Sequence, residues 1–254
     1  MNRWPAKLWV VRHGQSAGNV ARDLAHAEAR DRIGLTGRDV DVPLSDLGRD
    51  QAKALGKWFA QMPSDRRPNV LLVSPYTRAL DTAALIRSTG GLAEGDEPLC
   101  SDERLREKEF GVLDGLTTSG VANVFPDQAA FRHVLGKFYH RPPGGESWCD
   151  VILRLRSLLD TVSLHHADAR VLIVAHQVVV LCLRYIIETL DEQTILAIDA
   201  EGDVANCGVT EYRFDADSGR SGKLVLDRYN YVVPVADRAV LVTRAPDAAV
   251  AARG

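Results

Sequence analysis

Two apolar runs, Leu8-Trp9-Val10-Val11 and Val171-Leu172-Ile173-Val174, each end two residues before a histidine, His13 and His176. An apolar run without alternation is what a strand shows when helices cover both faces of its sheet. Such sheets are mainly parallel, and the loops that follow their strands open into one crevice. A chain with two runs of this kind is therefore constrained to bring residues far apart in sequence toward one place.

The remaining chain supports that frame. Strand candidates are Lys7–Arg12, Asn69–Val73, a short Pro98–Cys100, Arg170–Ala175, Cys207–Phe214 and Leu224–Tyr231. The last two alternate more, and the Gly/Ser/Asp-rich stretch Asp215–Gly222 between them predicts a hairpin connection. After Ser45, Leu47, Leu55, Trp58, Phe59 and Met62 fall largely on one helical face, and Pro63 stops the run. Pro75 after Ser74 suits a first helical position, with Ala79, Ala83 and Ile86 continuing the stripe. Ser147 with Asp150 three residues later has the form of a capping box. The stretch behind His176 is apolar almost all round, which predicts a buried helix.

Strands alternating with helices predict the α/β class, as a three-layer αβα sandwich with a mainly parallel central sheet. No internal repeat or domain-scale linker is visible, so residues 1–254 are expected to form a single domain. The alanine-rich tail after Arg244 is expected to fray.

Composition narrows the partners. Hydrophobic residues at 46% and charged residues at 26% suit a water-borne globule with a substantial core. A formal charge of -3 argues against a dedicated nucleic-acid binder. The longest apolar stretch, Val178 to Ile187, contains Arg184 and is too short to span a bilayer. With no targeting segment visible, the expected location is cytoplasmic and no membrane partner is expected. Cys100, Cys149, Cys182 and Cys207 form no CxxC pair, so they are expected to be reduced and mostly buried, and no metal is signalled. His165-His166 lacks partners at ligand spacing.

Four segments carry chemistry. In Arg12-His13-Gly14-Gln15-Ser16 the glycine lets backbone approach an anion and the arginine offers a forked donor to phosphate oxygens. In Ser74-Pro75-Tyr76-Thr77-Arg78, Arg78 falls in a helical first turn, where the backbone dipole disfavours a cation. Free N–H groups of that turn favour an anion, so a phosphate in front of Arg78 would account for it. Val174-Ala175-His176-Gln177 repeats the strand-end histidine with a helix start behind it. Leu105 to Gly111 supplies two carboxylates, Glu107 and Glu109, suited to protonating a leaving oxygen, and spacing does not choose between them.

Taken in order, RHGQSAGN, LTGRDVDVPLSDLG, SPYTRALDTA, LREKEFGVLDG, PPGGES and VAHQ resemble the histidine phosphatase superfamily, also called phosphoglycerate-mutase-like. The resemblance runs from about Leu8 to the final strands. It implies the phosphoglycerate-mutase-like fold, with His13 as the nucleophile that becomes phosphorylated. Arg12 and Arg78 are implied as phosphate clamps, His176 as a further phosphate ligand and Glu107 as proton donor. Gln15, Asn19, Thr36, Gly37 and Gln177 are implied to border the substrate.

The departures carry information too. The segment between Glu107 and His176 is shorter than in the mutases, and PGGES at Pro143–Ser147 is more typical of phosphatase members. Gln177 in place of the mutase glycine resembles the fructose-2,6-bisphosphatase branch. The resemblance thus implies a metal-independent phosphomonoester hydrolase, without cofactor, acting on a small phosphorylated metabolite. A mutase and a catalytically silent phospho-ligand binding module are the competing readings. Residues 112–142 are expected to cap the pocket, with Arg132, Lys137 and Arg141 as candidates to meet an additional anionic group.

Overall fold

In a computed structural model of the chain, β1 (Lys7–Arg12) and β4 (Arg170–Ala175) lie side by side and parallel, with Arg12 opposite Ala175. Residues 3–93, 99–219 and 221–244 are described. Between those two strands the chain runs α1 (Ala17–Ala27), α2 (Asp46–Ala60), β2 (Val70–Val73), α3 (Thr77–Ser88), β3 (Cys100–Ser101), α4 (Thr118–Val124), α5 (Pro126–Tyr139) and α6 (Trp148–His165). It continues as α7 (Gln177–Ile187), α8 (Glu192–Glu201), β5 (Val209–Asp215), β6 (Lys223–Tyr231) and α9 (Val233–Ala236). The sheet order is β3-β2-β4-β1-β5-β6. The four strands from β3 to β1 are parallel, and β5 and β6 are antiparallel.

The three layers follow from strand geometry. Successive side chains of a strand point to opposite faces, so Leu8, Val10, Val171 and Ile173 enter one core with Leu155, Val179 and Leu183 of α6 and α7. Trp9, Val11, Leu172 and Val174 enter the other, with Leu55, Phe59, Ala83 and Ile86 of α2 and α3. Each buried large aliphatic or aromatic side chain contributes roughly 1.5–3 kcal/mol, and both faces of the central strands draw on it. That is why those strands show no polar alternation.

Several sequence boundaries need correction. The helix expected to begin at Pro75 begins at Thr77, with Tyr76 as its N-cap. Ser74 Oγ accepts from the Tyr76 N–H at 3.3 Å, which holds Ser-Pro-Tyr as a turn rather than a first helical turn. Arg78 still falls in the opening turn of α3. The strand expected from Cys207 begins at Val209. Cys207 has a φ of 55°, and its N–H bonds to the Arg12 carbonyl at 3.0 Å, so it belongs to a turn. Of the cysteines, Cys182 and Cys207 are buried, Cys149 is half-buried and Cys100 is exposed, so "mostly buried" does not hold. The third strand is Cys100–Ser101; Pro98, where it was expected to start, lies outside the described residues, as do Arg220 and the tail after Arg244. The capping box at Ser147 and Asp150 is present. Among the described residues no helix is long and apolar enough to cross a membrane.

The loop after β1 is fixed to α2 by backbone contact. Ser45 caps α2, accepting from the Gly48 N–H at 3.0 Å. The Gln15 N–H donates to Gln51 Oε1 at 2.9 Å. A Cβ on Gly14 would sit 2.4 Å from the Gly48 carbonyl oxygen, and one on Gly48 would sit 1.9 Å from the Gln15 carbonyl oxygen. Neither obstacle is a side chain that can swing away. Gly48→Ala is therefore expected to destabilise the protein by about 3 kcal/mol, measured by urea unfolding. A change below about 0.5 kcal/mol would show that the two backbones can separate freely.

Candidate active site

The in-register pairing of β1 with β4 sets the centre of the site. One residue beyond Arg12 and Ala175 come His13 and His176, and the His13 N–H donates to the Ala175 carbonyl at 3.0 Å. Both imidazoles are fully buried. Their ring centroids are 5.1 Å apart, edge to face. His176 is the N-cap of α7, and its Nε2 lies 2.7 Å from Oγ of Ser74, the residue after β2. Three adjacent parallel strands thus each deliver one residue to the same point.

His13 has a defined orientation. Arg78 Nε donates to His13 Nε2 at 3.2 Å, while His13 Nδ1 lies 2.6 Å from the Gly14 carbonyl oxygen. An acceptor beside Nδ1 and a donor beside Nε2 place the ring proton on Nδ1, an assignment made from the network. Nε2 then carries the lone pair and faces the guanidinium. The His13 carbonyl is held from the other side by Asn206 Nδ2 at 3.1 Å, which also reaches Asn19 Oδ1 at 3.3 Å.

Two buried guanidinium groups flank this pair. Arg12 is fully buried, with Nη1 donating to the Val204 carbonyl. Arg78 is 1% exposed, lies 4.8 Å above the Tyr76 ring, and directs both terminal nitrogens at Asp39. Tyr76 also packs edge-on against His176 at 5.0 Å. Burial raises the Tyr76 phenol well above its ordinary value, and neighbouring Glu109 and Asp39 add to the effect. It is thus a neutral wall that donates its hydroxyl to Glu109 Oε1 at 3.1 Å.

Through that bond Tyr76 ties the segment carrying both candidate acids to the histidine pair. Glu107 is buried, and its Oε1 accepts from the Lys108 N–H at 2.8 Å. Glu109 sits at the surface. The glycine-rich turn at 143–146 braces the segment from below. Pro143 carbonyl accepts from the Val112 N–H, and the Glu146 N–H donates to the Glu109 carbonyl. Glu146 in turn binds Arg106 at 2.7 Å and Arg154 at 2.9 Å. Burial works against ionising Glu146, but the hydrogen bonds from Arg154 prevail and hold its carboxyl below the usual range.

The other expected residues divide. Asn19 is buried beside Asn206 and completes a capping box with Ser16 at the start of α1. Gln177 is buried and donates to Asp203 at 2.8 Å. Gly37, at a φ of 99°, lines a cavity of about 250 Å3 that also contains Asp39. Thr36 is exposed beside it. The side-chain oxygen of Gln15, expected beside substrate, accepts from Ser45 Oγ at 2.8 Å, which helps to fasten the loop to α2. In the 112–142 segment, Lys137 is paired with Asp199 and the exposed Arg141 with Asp150. Sequence reading missed Ser74, Tyr76 and Asp39 as site residues although each lies inside a quoted motif. It missed Asn206 for lack of any local signal. Among the described residues, no group of three or more His, Cys, Asp or Glu side chains is arranged to hold a metal ion.

Lys108 gives the site an unusual neighbour. It is buried, its ammonium 4.3 Å from the Phe110 ring. Burial, reinforced by Arg132, pushes it down from 10.5 to about 8. Between those two values the unfolded chain binds more protons than the folded one, so this group's contribution to stability rises with pH across that window. Below pH 8 the full cost of desolvating the cation is present. Lys108→Met is therefore expected to stabilise the protein by about 2 kcal/mol at neutral pH, with the gain disappearing toward pH 10.5. Urea unfolding at the two extremes checks it, and an equal effect at both would refute the desolvation argument.

Comparison with known proteins agrees with this geometry. The family model described as histidine phosphatase superfamily (branch 1) matches residues 8–226. The chain is 32% identical over 229 residues to a 2,3-bisphosphoglycerate-dependent phosphoglycerate mutase of Methylobacterium sp., covering 87% of this chain and 97% of that one. It is 29% identical over 231 residues to phosphoglycerate mutase 2 of Gloeobacter violaceus, covering 90% and 94%. Among solved structures it resembles a mycobacterial glucosyl-3-phosphoglycerate phosphatase in complex with VO3, at a TM-score of 0.67 and 26% identity, over 89% of this chain and 100% of that one. With the match spanning both histidine strands and the carboxylate segment between them, the chain belongs to the histidine phosphatase superfamily, branch 1.

Proposed function

We propose that the protein hydrolyses phosphate monoesters of small metabolites through a phosphohistidine formed on His13. The observation that carries this reading is the fixed ring of His13, with Nδ1 against the Gly14 carbonyl, Nε2 facing Arg78 and the second imidazole 5.1 Å away. A nucleophile so held needs no base, because the attacking nitrogen is already deprotonated.

In the first step Nε2 attacks phosphorus in line, the bond from phosphorus to the ester oxygen breaks, and Glu107 gives its proton to the departing alcohol. Arg12, Arg78 and His176 bear the charge on the equatorial oxygens, the largest catalytic effect expected for such a transfer. In the second step Glu107, now ionised, takes a proton from water as the water oxygen attacks phosphorus. The N–P bond breaks and inorganic phosphate leaves. Burial of Glu107 supports it over Glu109 as the acid, because Glu109 sits at the surface with its carboxylate accepting the Tyr76 hydroxyl. α4 and α5 are read as a cap over the pocket.

A second reading is phosphoglycerate mutase-type transfer, which the mutase relatives favour. The fold neighbours with phosphatase activity and the PGGES turn against the acid segment favour hydrolysis. A coupled assay with 3-phosphoglycerate decides: rapid 2-phosphoglycerate formation without phosphate release would replace hydrolysis by transfer.

His13→Ala is expected to reduce p-nitrophenyl phosphate turnover by a factor of about 10^4 or more with an unchanged melting temperature. Retained turnover would remove the nucleophile assignment. Glu107→Gln is expected to slow hydrolysis of alkyl phosphates by about 10^2–10^4-fold, and of p-nitrophenyl phosphate far less, because a good leaving group needs no proton. Equal loss on both substrates would transfer the acid role to another residue.

A further inference from the structure

The two terminal nitrogens of Arg78 are the groups that a phosphoryl oxygen pair would engage, and both lie on one carboxylate. Nη1 is 3.1 Å from Asp39 Oδ1, Nη2 is 3.0 Å from Asp39 Oδ2, and Nη1 also reaches the Asp39 carbonyl at 2.7 Å. This forked geometry is the one by which arginine recognises phosphate and carboxylate alike. Arg78 is 1% exposed, whereas the Asp39 side chain is 30% exposed and sits on a short turn, Asp39–Asp41. The guanidinium is therefore the fixed partner and the carboxylate the one with room to leave.

The structure supplies that room. Asp39 lines the cavity of about 250 Å3 already described, whose other walls include Gly34, Gly37, Gly115 and the cation Arg32. Gly34 and Gly37 adopt φ values of 79° and 99°, and an added Cβ on Gly37 would meet nothing within 4 Å. A carboxylate leaving Arg78 thus has solvent-connected space and a second guanidinium along the same wall. The neighbouring Asp41 differs in kind, since it is paired with the exposed Arg38.

We propose that Asp39 is the counter-ion that the substrate phosphoryl group displaces from Arg78, so that it sets the affinity of the site for phosphate. A dianionic monoester with its full set of contacts to Arg12, Arg78 and His176 overcomes this competition. Inorganic phosphate, lacking any contact from an alcohol portion, does so less well, and its release is correspondingly favoured. The residue acts on specificity and product release, while the chemistry stays with His13 and Glu107. The inference rests on the phosphate-clamp role given to Arg78 above.

The test uses wild-type protein, Asp39→Asn and Asp41→Asn, all full length. Inorganic phosphate binding is measured by titration calorimetry, which needs no turnover, and orthovanadate inhibition is measured with p-nitrophenyl phosphate. A charged hydrogen-bonded competitor of this kind corresponds to about ten-fold in affinity or more. Asp39→Asn is expected to tighten both phosphate and vanadate by at least that factor and to lower KM, while Asp41→Asn matches wild type. Unchanged or weaker phosphate binding by Asp39→Asn overturns the proposal. A fall in kcat together with weaker phosphate binding overturns it in favour of Asp39 as a positioning residue for Arg78. Asp39→Ser, with melting temperature as control, guards against a folding effect confined to the asparagine variant. Tighter phosphate binding without hydrolysis of any ester would leave this inference standing and defeat the hydrolase reading instead.

Discussion

The parallel pairing of β1 with β4 is the constraint on which the site depends. Its register sets Arg12 beside Ala175, and each following residue is a histidine at the same height on the same edge of the sheet. A shift of one residue would turn every side chain of a strand to the other face, exchanging Trp9 and Val11 with Leu8 and Val10 between the two cores. Because both cores are closely filled, the register that packs the protein is also the register that pairs the imidazoles. Stability and site geometry are therefore determined by the same contacts.

Around that pairing the protein concentrates polar groups that are buried. Arg12, His13, Arg78, Glu107 and His176 are all nearly or fully buried. Burying charge is costly unless hydrogen bonds accompany it, and the site supplies them from strand ends and loops: the Val204 and Gly14 carbonyls, Ser74, Asp39 and the Lys108 N–H. A second layer holds those groups in place. Asn206 links the His13 carbonyl to Asn19, and Thr243 donates to the Asn206 amide oxygen at 2.8 Å, so the segment after α9 braces the loop that carries His13. The turn at 143–146 does the same for the acid segment through Glu146.

Much of the frame was legible in the residues alone because its causes are local. Strand β4 and strand β1 fall on their expected bounds, since an unbroken apolar run with a polar residue at each end leaves little choice. The capping box at Ser147 was legible because both partners lie within one turn. The errors came where a distant partner decides. Pro75 is compatible with a helix start, yet Ser74 is engaged with His176, and that turn delays α3 by two residues. Cys207 looks like the opening of an apolar strand, but the Arg12 carbonyl takes its N–H and leaves it in a left-handed turn.

The sequence by itself determined which residue types could do phosphate chemistry, which strands would be buried on both faces, and, through six ordered motifs, the family. Those are properties of short segments and of their order along the chain. Only the tertiary structure decided that Gln15 fastens a loop, that Lys137 and Arg141 lie against carboxylates, that Glu107 is buried while Glu109 is exposed, and that Asp39 lies on Arg78. Each of these depends on which groups approach across the crevice. Charge pairing and desolvation act over a few ångströms of space, whatever the separation along the chain, so no local pattern encodes them.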